Sequence, residues 1–200
     1  MPGAENLTLA SKSAARTAVL RGAGLTFDTR DSEVDEDVTK STLLAKGADP
    51  KAIAEALAVE KALAVSARQA GLVIGADQTL EFDGGLYDKV DNLDAARERL
   101  KRLRGRPHHL HSAVVLARDG QVIWRETVTA TLTMRDFTDA FLEFYLEAEG
   151  AAALGSVGCY RMESQGVQLF SEIDGDYFTI LGLPLMGLLE RLRAHEVLIP

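Results

Sequence analysis

Asp77 closes an apolar run, Leu72-Val73-Ile74-Gly75-Ala76, and is followed by Gln78 and Thr79. Strand formers bounded by small residues read as a buried strand. A carboxylate at the mouth of such a strand is costly unless it is paired, metal-bound or catalytic. Asp77 is therefore a candidate for metal binding or proton transfer; the alternative is an Asp that only starts a turn. The acidic stretch Glu33-Val34-Asp35-Glu36-Asp37 is its candidate partner. Two carboxylates converging on oxygen-rich ligands suit Mg2+ or Mn2+, although a solvated acidic loop is the commoner use of such a stretch.

The cations have a pattern of their own. Ser11-Lys12-Ser13 joins a short strand to a helix that carries Arg16 in its first turn. A helix start offers free N–H groups and the positive end of the dipole, which suits an anion. Arg16 opposes that dipole, and a bound phosphate would remove the conflict. Ser11, Ser13 and Lys12 are placed to help. The alternative makes Ser13 a plain N-cap and Arg16 a solvated side chain. Lys61 falls at helical spacing between Leu57 and Val65, on the stripe that faces the interior. It either snorkels to the edge or points into a cleft. Lys89, just past the hairpin that follows Asp77, carries no signal by itself.

These positions need elements to hold them. Asn6–Ala10 reads as a strand, Ala14 to about Gly22 as a helix, Thr26–Asp28 as a second short strand, and Asp28–Asp37 as a loop. Pro50–Ala70 reads as a long alanine-rich helix with Ile53, Leu57, Ala64 and Val65 inward. Asp83-Gly84-Gly85 marks a hairpin, Asn92–Leu103 a helix, and Asp119-Gly120 a turn between strands Leu110–Ala117 and Val122–Leu132. Asp136–Glu149 reads as a helix with Phe137, Phe141, Phe144 and Tyr145 inside. Val167–Ile173 and Asp176–Ile180 flank another hairpin signal, and Gly182-Leu183-Pro184 opens a last helix ending near His195. The alternation predicts an α/β fold, a mixed central sheet flanked by helices. With 200 residues and no composition break, one domain spanning 1–200 is expected.

Bulk properties narrow the partners. A net charge of −8 disfavours a nucleic-acid polymer, but not a small phosphorylated ligand held by local cations. The single cysteine, Cys159, excludes an intrachain disulfide and fits a cytoplasmic setting. The opening MPGAENLTLA lacks the features of a secretory signal, and no apolar stretch approaches membrane-spanning length. Pro107-His108-His109-Leu110-His111 imitates a metal cluster, yet on a strand His108 faces away from His109 and His111. Cys159 lacks a CxxC partner and reads as packed. Gly155-Ser156-Val157-Gly158 lacks dinucleotide-fingerprint spacing, and no phosphate-binding GxxxxGK[ST] loop is present.

Taken in order, these positions resemble the Maf family of nucleoside triphosphate pyrophosphatases from about Leu7 to His195. The family's S-x-S-P-R-R is matched by Ser11-Lys12-Ser13-Ala14-Ala15-Arg16, with Ala15 in place of the first arginine and Lys12 as its substitute. Its V-D-E is Val34-Asp35-Glu36, its K-A is Lys61-Ala62, and its G-A-D is Gly75-Ala76-Asp77. Its later lysine is Lys89, followed by Val90 where proline is usual. Gly105-Arg106-Pro107-His108, Ile173-Asp174-Gly175-Asp176-Tyr177 and Gly182-Leu183-Pro184-Leu185 complete the series.

The resemblance implies two lobes with a deep nucleotide cleft, and cleavage of a nucleoside triphosphate between its α and β phosphates. It makes Asp77 the proton acceptor and, with Glu36, the contact for Mg2+ or Mn2+. Arg16, Lys61 and Lys89 hold the triphosphate. The expected partners are a nucleoside triphosphate and, at most, a second copy of the chain. The family's link to septum formation supplies an alternative, a nucleotide-sensing regulator of cell division without significant turnover. Gln78 and Glu163 stand where the family's dTTP/UTP branch has threonine and glutamine, which resembles the 7-methyl-GTP branch. A carboxylate accepts from guanine N1–H and N2–H and complements the cationic methylated ring. The alternative pairs Glu163 with Arg161.

Overall fold

A computed structural model describes residues 6–199. The first five residues of the segment read above against a secretory signal lie outside that range. The strands are β1 (Leu7–Ala10), β2 (Asp28–Thr29), β3 (Leu72–Phe82), β4 (Gly85–Tyr87), β5 (Pro107–Arg118), β6 (Gln121–Met134) and β7 (Phe170–Asp174). The helices are α1 (Ala14–Gly22), α2 (Glu36–Ala45), α3 (Pro50–Ser66), α4 (Leu93–Leu103), α5 (Asp139–Glu149), α6 (Tyr177–Ile180) and α7 (Leu185–Ala194). Short 3₁₀ turns cover Gly150–Gly155 and Gln165–Leu169. The strands form one sheet in the order β2-β1-β3-β5-β6-β7, with β4 also on β3. β1 runs parallel to β2 and β3, and the remaining pairs are antiparallel. The expected mixed sheet flanked by helices is observed.

The parallel β1–β3 pair needs a long crossover, and α1, β2, α2 and α3 make up that connection. It brings α3 across the face of β3. Ala54, Ala58 and Ala62 form the contact layer with Ala113, Val115 and Ala117 of β5. Small side chains let helix and sheet approach closely. At Gly75 the approach is so tight that a Cβ would overlap the Ala58 carbonyl and Ala62. Asp77 lies two residues beyond Gly75 on the same strand face, and Lys61 three beyond Ala58 on the same helix face. The glycine thereby sets the closeness of the two charges.

Two larger core groups lie elsewhere. Leu80, Leu100, Leu110, Leu132 and Tyr145 belong to one, beneath α4 and α5. Leu9, Leu20, Ile74 and Leu188 belong to the other, beneath α1 and α7.

Several sequence expectations change, among them the strand Val167–Ile173, whose first residues Val167–Leu169 lie in a 3₁₀ turn ahead of β7. β3 continues through Phe82, so Asp77 sits mid-strand, opposite Ala113 of β5, rather than at a strand mouth. The acidic stretch ends in helix α2, capped by Asp35 accepting from Val38 N at 3.2 Å. α2 buries none of its residues, so it has no apolar stripe to betray it. Asp176–Ile180 is a helical turn rather than a strand, because the Asp176 side chain caps the Thr179 N–H at 2.9 Å. The long helix ends at Ser66, short of Ala70. Finally, Phe144 is exposed, and α5 buries Leu142, Tyr145, Leu146 and Glu149 instead.

Candidate functional site

An open cavity of about 860 Å³ gathers residues from α1, α2, α3, β3, β4 and the loop after the first 3₁₀ turn. It lies within the size range of small-ligand sites. All ten residues singled out from sequence line it: Ser11, Lys12, Ser13, Arg16, Glu36, Lys61, Asp77, Gln78, Lys89 and Glu163.

Lys61 is the hub. Its Nζ lies 2.5 Å from Asp77 Oδ1 and 2.6 Å from Glu36 Oε1. Lys61 and Asp77 are buried, while Glu36 is open to the cavity. A buried ammonium bridging two carboxylates settles the Lys61 alternatives: it points into the cavity and does not snorkel. Burial works to raise the Glu36 pKa, yet the Lys61 hydrogen bond, with Lys40 and Arg16, outweighs it and holds the carboxyl below its ordinary value. Lys40 of α2 stands 3.8 Å from Glu36 Oε2 and 2.7 Å from Asp88 Oδ1. It lines the cavity and escaped notice in the sequence because it sits on a helix without a core face.

Arg16 is buried on α1. Its Nε donates to the Gly182 carbonyl at 2.9 Å and its Nη1 to Ser11 Oγ at 3.3 Å. Gly182 adopts φ +94°, which few other residues tolerate, to present that carbonyl. Nη2 has no hydrogen-bond partner among the described residues. Burial lowers the Arg16 pKa, and Asp77 and Glu36 oppose the shift. Ser13 Oγ caps the Arg16 N–H at 3.3 Å, so the N-cap alternative holds for Ser13, while Arg16 is not the solvated side chain it was weighed against. Lys12 is exposed and pairs with Asp31 at 2.5 Å. Lys89 is exposed, with no ion-pair partner among the described residues.

Gln78 follows Asp77 and, by strand alternation, faces the other way. Its Nε2 donates toward Ser112 Oγ at 2.9 Å, Thr179 O at 3.1 Å and Ile180 O at 3.0 Å. Ser112 Oγ donates to Thr179 O at 2.7 Å. Two carbonyl acceptors fix which end of the amide is nitrogen. The amide N–H groups are thus committed to α6, and only Oε1 is left for a ligand. Ser112 gave no sequence signal, being one polar residue in an apolar strand.

A second charged group lies on the far segment. Arg161 Nε is 3.1 Å from Glu163 Oε1, and Arg161 Nη1 is 3.2 Å from Glu149 Oε2. The Glu163–Arg161 alternative is therefore observed, with Glu163 still lining the cavity. Tyr160 begins this loop; its hydroxyl lies 2.8 Å from His108 Nε2. His109 and His111 instead meet Thr131 and Thr129 of β6 on the opposite face, His111 also reaching Glu81. Cys159 is buried, and burial pushes its thiol up to about 11. That suits an inert packed side chain.

Asp77 and Glu36 converge on the Lys61 ammonium, and these two carboxylates are the pair that would hold a cation. Among the described residues no three His, Cys, Asp or Glu side chains converge as a protein-only metal centre. Two carboxylates supplemented by phosphate oxygens are, however, the donor set Mg2+ commonly uses. No helix among the described residues is long and apolar enough to cross a membrane.

Comparison with known proteins decides the lineage. The model of the family described as Maf-like protein matches residues 6–195. The chain belongs to the Maf family. It is 57% identical over 192 residues to a nucleoside triphosphate pyrophosphatase of Caulobacter vibrioides, with 96% of each chain covered. It is 46% identical over 191 residues to a 7-methyl-GTP pyrophosphatase of Brucella abortus, covering 95% of this chain and 96% of that one. A 7-methyl-GTP pyrophosphatase of Rhizobium meliloti is 46% identical over 188 residues, 94% of each chain. In this Maf-family chain Arg16, Glu36, Lys61, Asp77 and Lys89, each a quoted motif position, line one cavity.

Proposed function

We propose that the protein hydrolyses a nucleoside triphosphate between the α and β phosphates, yielding the nucleoside monophosphate and pyrophosphate. The carrying observation is the pair of carboxylates, Asp77 and Glu36, drawn onto one ammonium inside a nucleotide-sized cavity of a Maf-family chain. Asp77 acts as the proton acceptor. It takes the proton of an attacking water, the water oxygen bonds to Pα, and the bond from Pα to the bridging oxygen breaks with release of pyrophosphate. Arg16, Lys61 and Lys89 face the triphosphate, with Lys12, Ser11 and Ser13 beside the helix start; positioning and electrostatics dominate such chemistry. A divalent cation, Mg2+ or Mn2+, held by Asp77 and Glu36, offsets phosphate charge and acidifies water when bound.

The core beneath α4 and α5 and the core beneath α1 and α7 are read as two lobes, in one domain spanning the chain. Glu163 is assigned to the base. Its carboxylate suits guanine N–H groups and a cationic 7-methylated ring, and relatives named 7-methyl-GTP pyrophosphatases support that preference. Gln78 contributes through Oε1 and through its grip on α6. A cytoplasmic setting fits the lone buried thiol.

The test is pyrophosphate release with Mg2+ or Mn2+ from 7-methyl-GTP, GTP, dTTP, UTP and CTP. Turnover is expected, highest on 7-methyl-GTP. No turnover on any nucleotide would leave the cavity a sensor and support the cell-division reading instead.

A further inference from the structure

Glu149 is a buried acid with no part in the chemistry above. It ends α5, where a negative charge opposes the helix dipole, and its side chain is only 3% exposed. Two groups compensate it. Oε2 faces Arg161 Nη1 at 3.2 Å, and Oε1 accepts from the Gln165 N–H at 3.2 Å. Arg161 passes the contact on, its Nε donating to Glu163 Oε1 at 3.1 Å. The loop between them is closed on itself. Ser164 N–H donates to the Arg161 carbonyl at 3.2 Å, and a Cβ at Gly166 would overlap the Arg161 backbone. Glu149 thus pins both ends of the segment that presents Glu163 to the cavity.

The charges make the arrangement more than a scaffold. Alone, Arg161 and Glu163 would be a neutral pair, and Glu163 would offer the base little net field. With Glu149 behind Arg161, the three groups together carry one net negative charge beside the cavity. A buried carboxylate close to a guanidinium acts through low-dielectric surroundings, where its influence is screened less than at the surface.

We infer that Glu149 is a specificity-positioning residue: through Arg161 it orients Glu163 and keeps the base end of the cavity net negative, favouring a cationic base over its neutral counterpart. The inference rests on the reading of Glu163 as the base-facing group.

Glu149→Gln removes the charge and the Arg161 contact together while sparing the loop closure, because its one amide oxygen still accepts from the Gln165 N–H and its NH2 is turned toward Arg161. The kcat/KM ratio of 7-methyl-GTP to GTP is expected to fall by about threefold to tenfold, through KM rather than kcat. Inhibition by inorganic tripolyphosphate, which has no base, is expected to hold. An unchanged nucleotide ratio overturns the inference. So does a parallel loss of tripolyphosphate inhibition, which would make Glu149 a folding residue. Glu163→Gln, measured alongside, separates the two levels. A ratio that moves in Glu163→Gln but not in Glu149→Gln overturns only the positioning role. A ratio unmoved in Glu163→Gln overturns the base-facing role of Glu163 and this inference with it.

Discussion

Around Lys61 the charged side chains stand on regular elements, Arg16 on α1, Glu36 and Lys40 on α2, Lys61 on α3 and Asp77 on β3, with only Asp88, the partner of Lys40, on a loop among those named. Around Arg161 the side chains that line the cavity, Arg161 itself and Glu163, stand on an irregular loop, and only the hidden Glu149 belongs to a helix. The first cluster is rigid because the Gly75 contact locks helix to strand. Its charges are mutually compensated, and Arg16, Lys61 and Asp77 are buried. The second is half-exposed and depends on a few hydrogen bonds for its shape. Rigid elements suit the part of a site that must hold reacting atoms to a fraction of an ångström. A loop suits the part that differs between relatives.

If that contrast holds, the two clusters respond differently to damage. The largest effect is expected from Lys61→Met. Removing the bridging ammonium leaves Asp77 as an uncompensated buried carboxylate, and a loss of about 3–5 kcal/mol should appear in urea unfolding. A loss below about 1 kcal/mol would mean that the first cluster is no more integrated than the second.

His108 supplies the next effect, on the side of the loop. Burial, with a smaller push from His109, lowers its pKa to about 4. The unfolded chain takes up the proton near the ordinary value of about 6.5. The unfolded state therefore binds more protons between those values, and stability should fall by up to about 3 kcal/mol as pH drops from about 6.5 toward 4. His108→Gln should flatten that part of the urea-midpoint profile.

Ser112→Ala removes a hydroxyl that both accepts from Gln78 and donates to Thr179. About 1–2 kcal/mol is expected in thermal or urea unfolding. Because α6 leads to the Gly182 carbonyl that holds Arg16, KM for nucleotide should rise as well. The smallest stability effect belongs to Glu163→Gln. It should cost below about 1 kcal/mol, as half-exposed ion pairs contribute little, while still shifting the preference between 7-methyl-GTP and UTP.

The same contrast explains what was legible in the sequence. Asp77 and Lys61 stood out because each breaks a regular pattern, one in an apolar strand and one on an apolar helix stripe. A pattern makes its exceptions visible. The mixed sheet followed from the alternation of periods for the same reason. α2 was missed because it buries nothing, so no apolar period marks it. Lys40 was lost with it. Asp176–Ile180 read as a strand because Tyr177, Phe178 and Ile180 are strand formers, whereas the local cap by Asp176 decides for a helical turn. Glu149 was invisible because an acid at the end of an amphipathic helix is ordinarily solvated. Its burial arises only when the loop carrying Arg161 folds back over it, a contact between distant segments that no local pattern encodes.

In the proposed reaction Asp77 removes the proton from the attacking water while its neighbours hold the triphosphate. The most direct test is pyrophosphate release by Asp77→Asn, with Mg2+ and the best nucleotide of the panel. A fall in kcat of about a thousandfold is expected, with the unfolding transition still cooperative because Lys61 keeps Glu36 as a partner. Turnover within a few fold of the unaltered protein would contradict the assignment of Asp77 and, with it, the account of the cluster around Lys61.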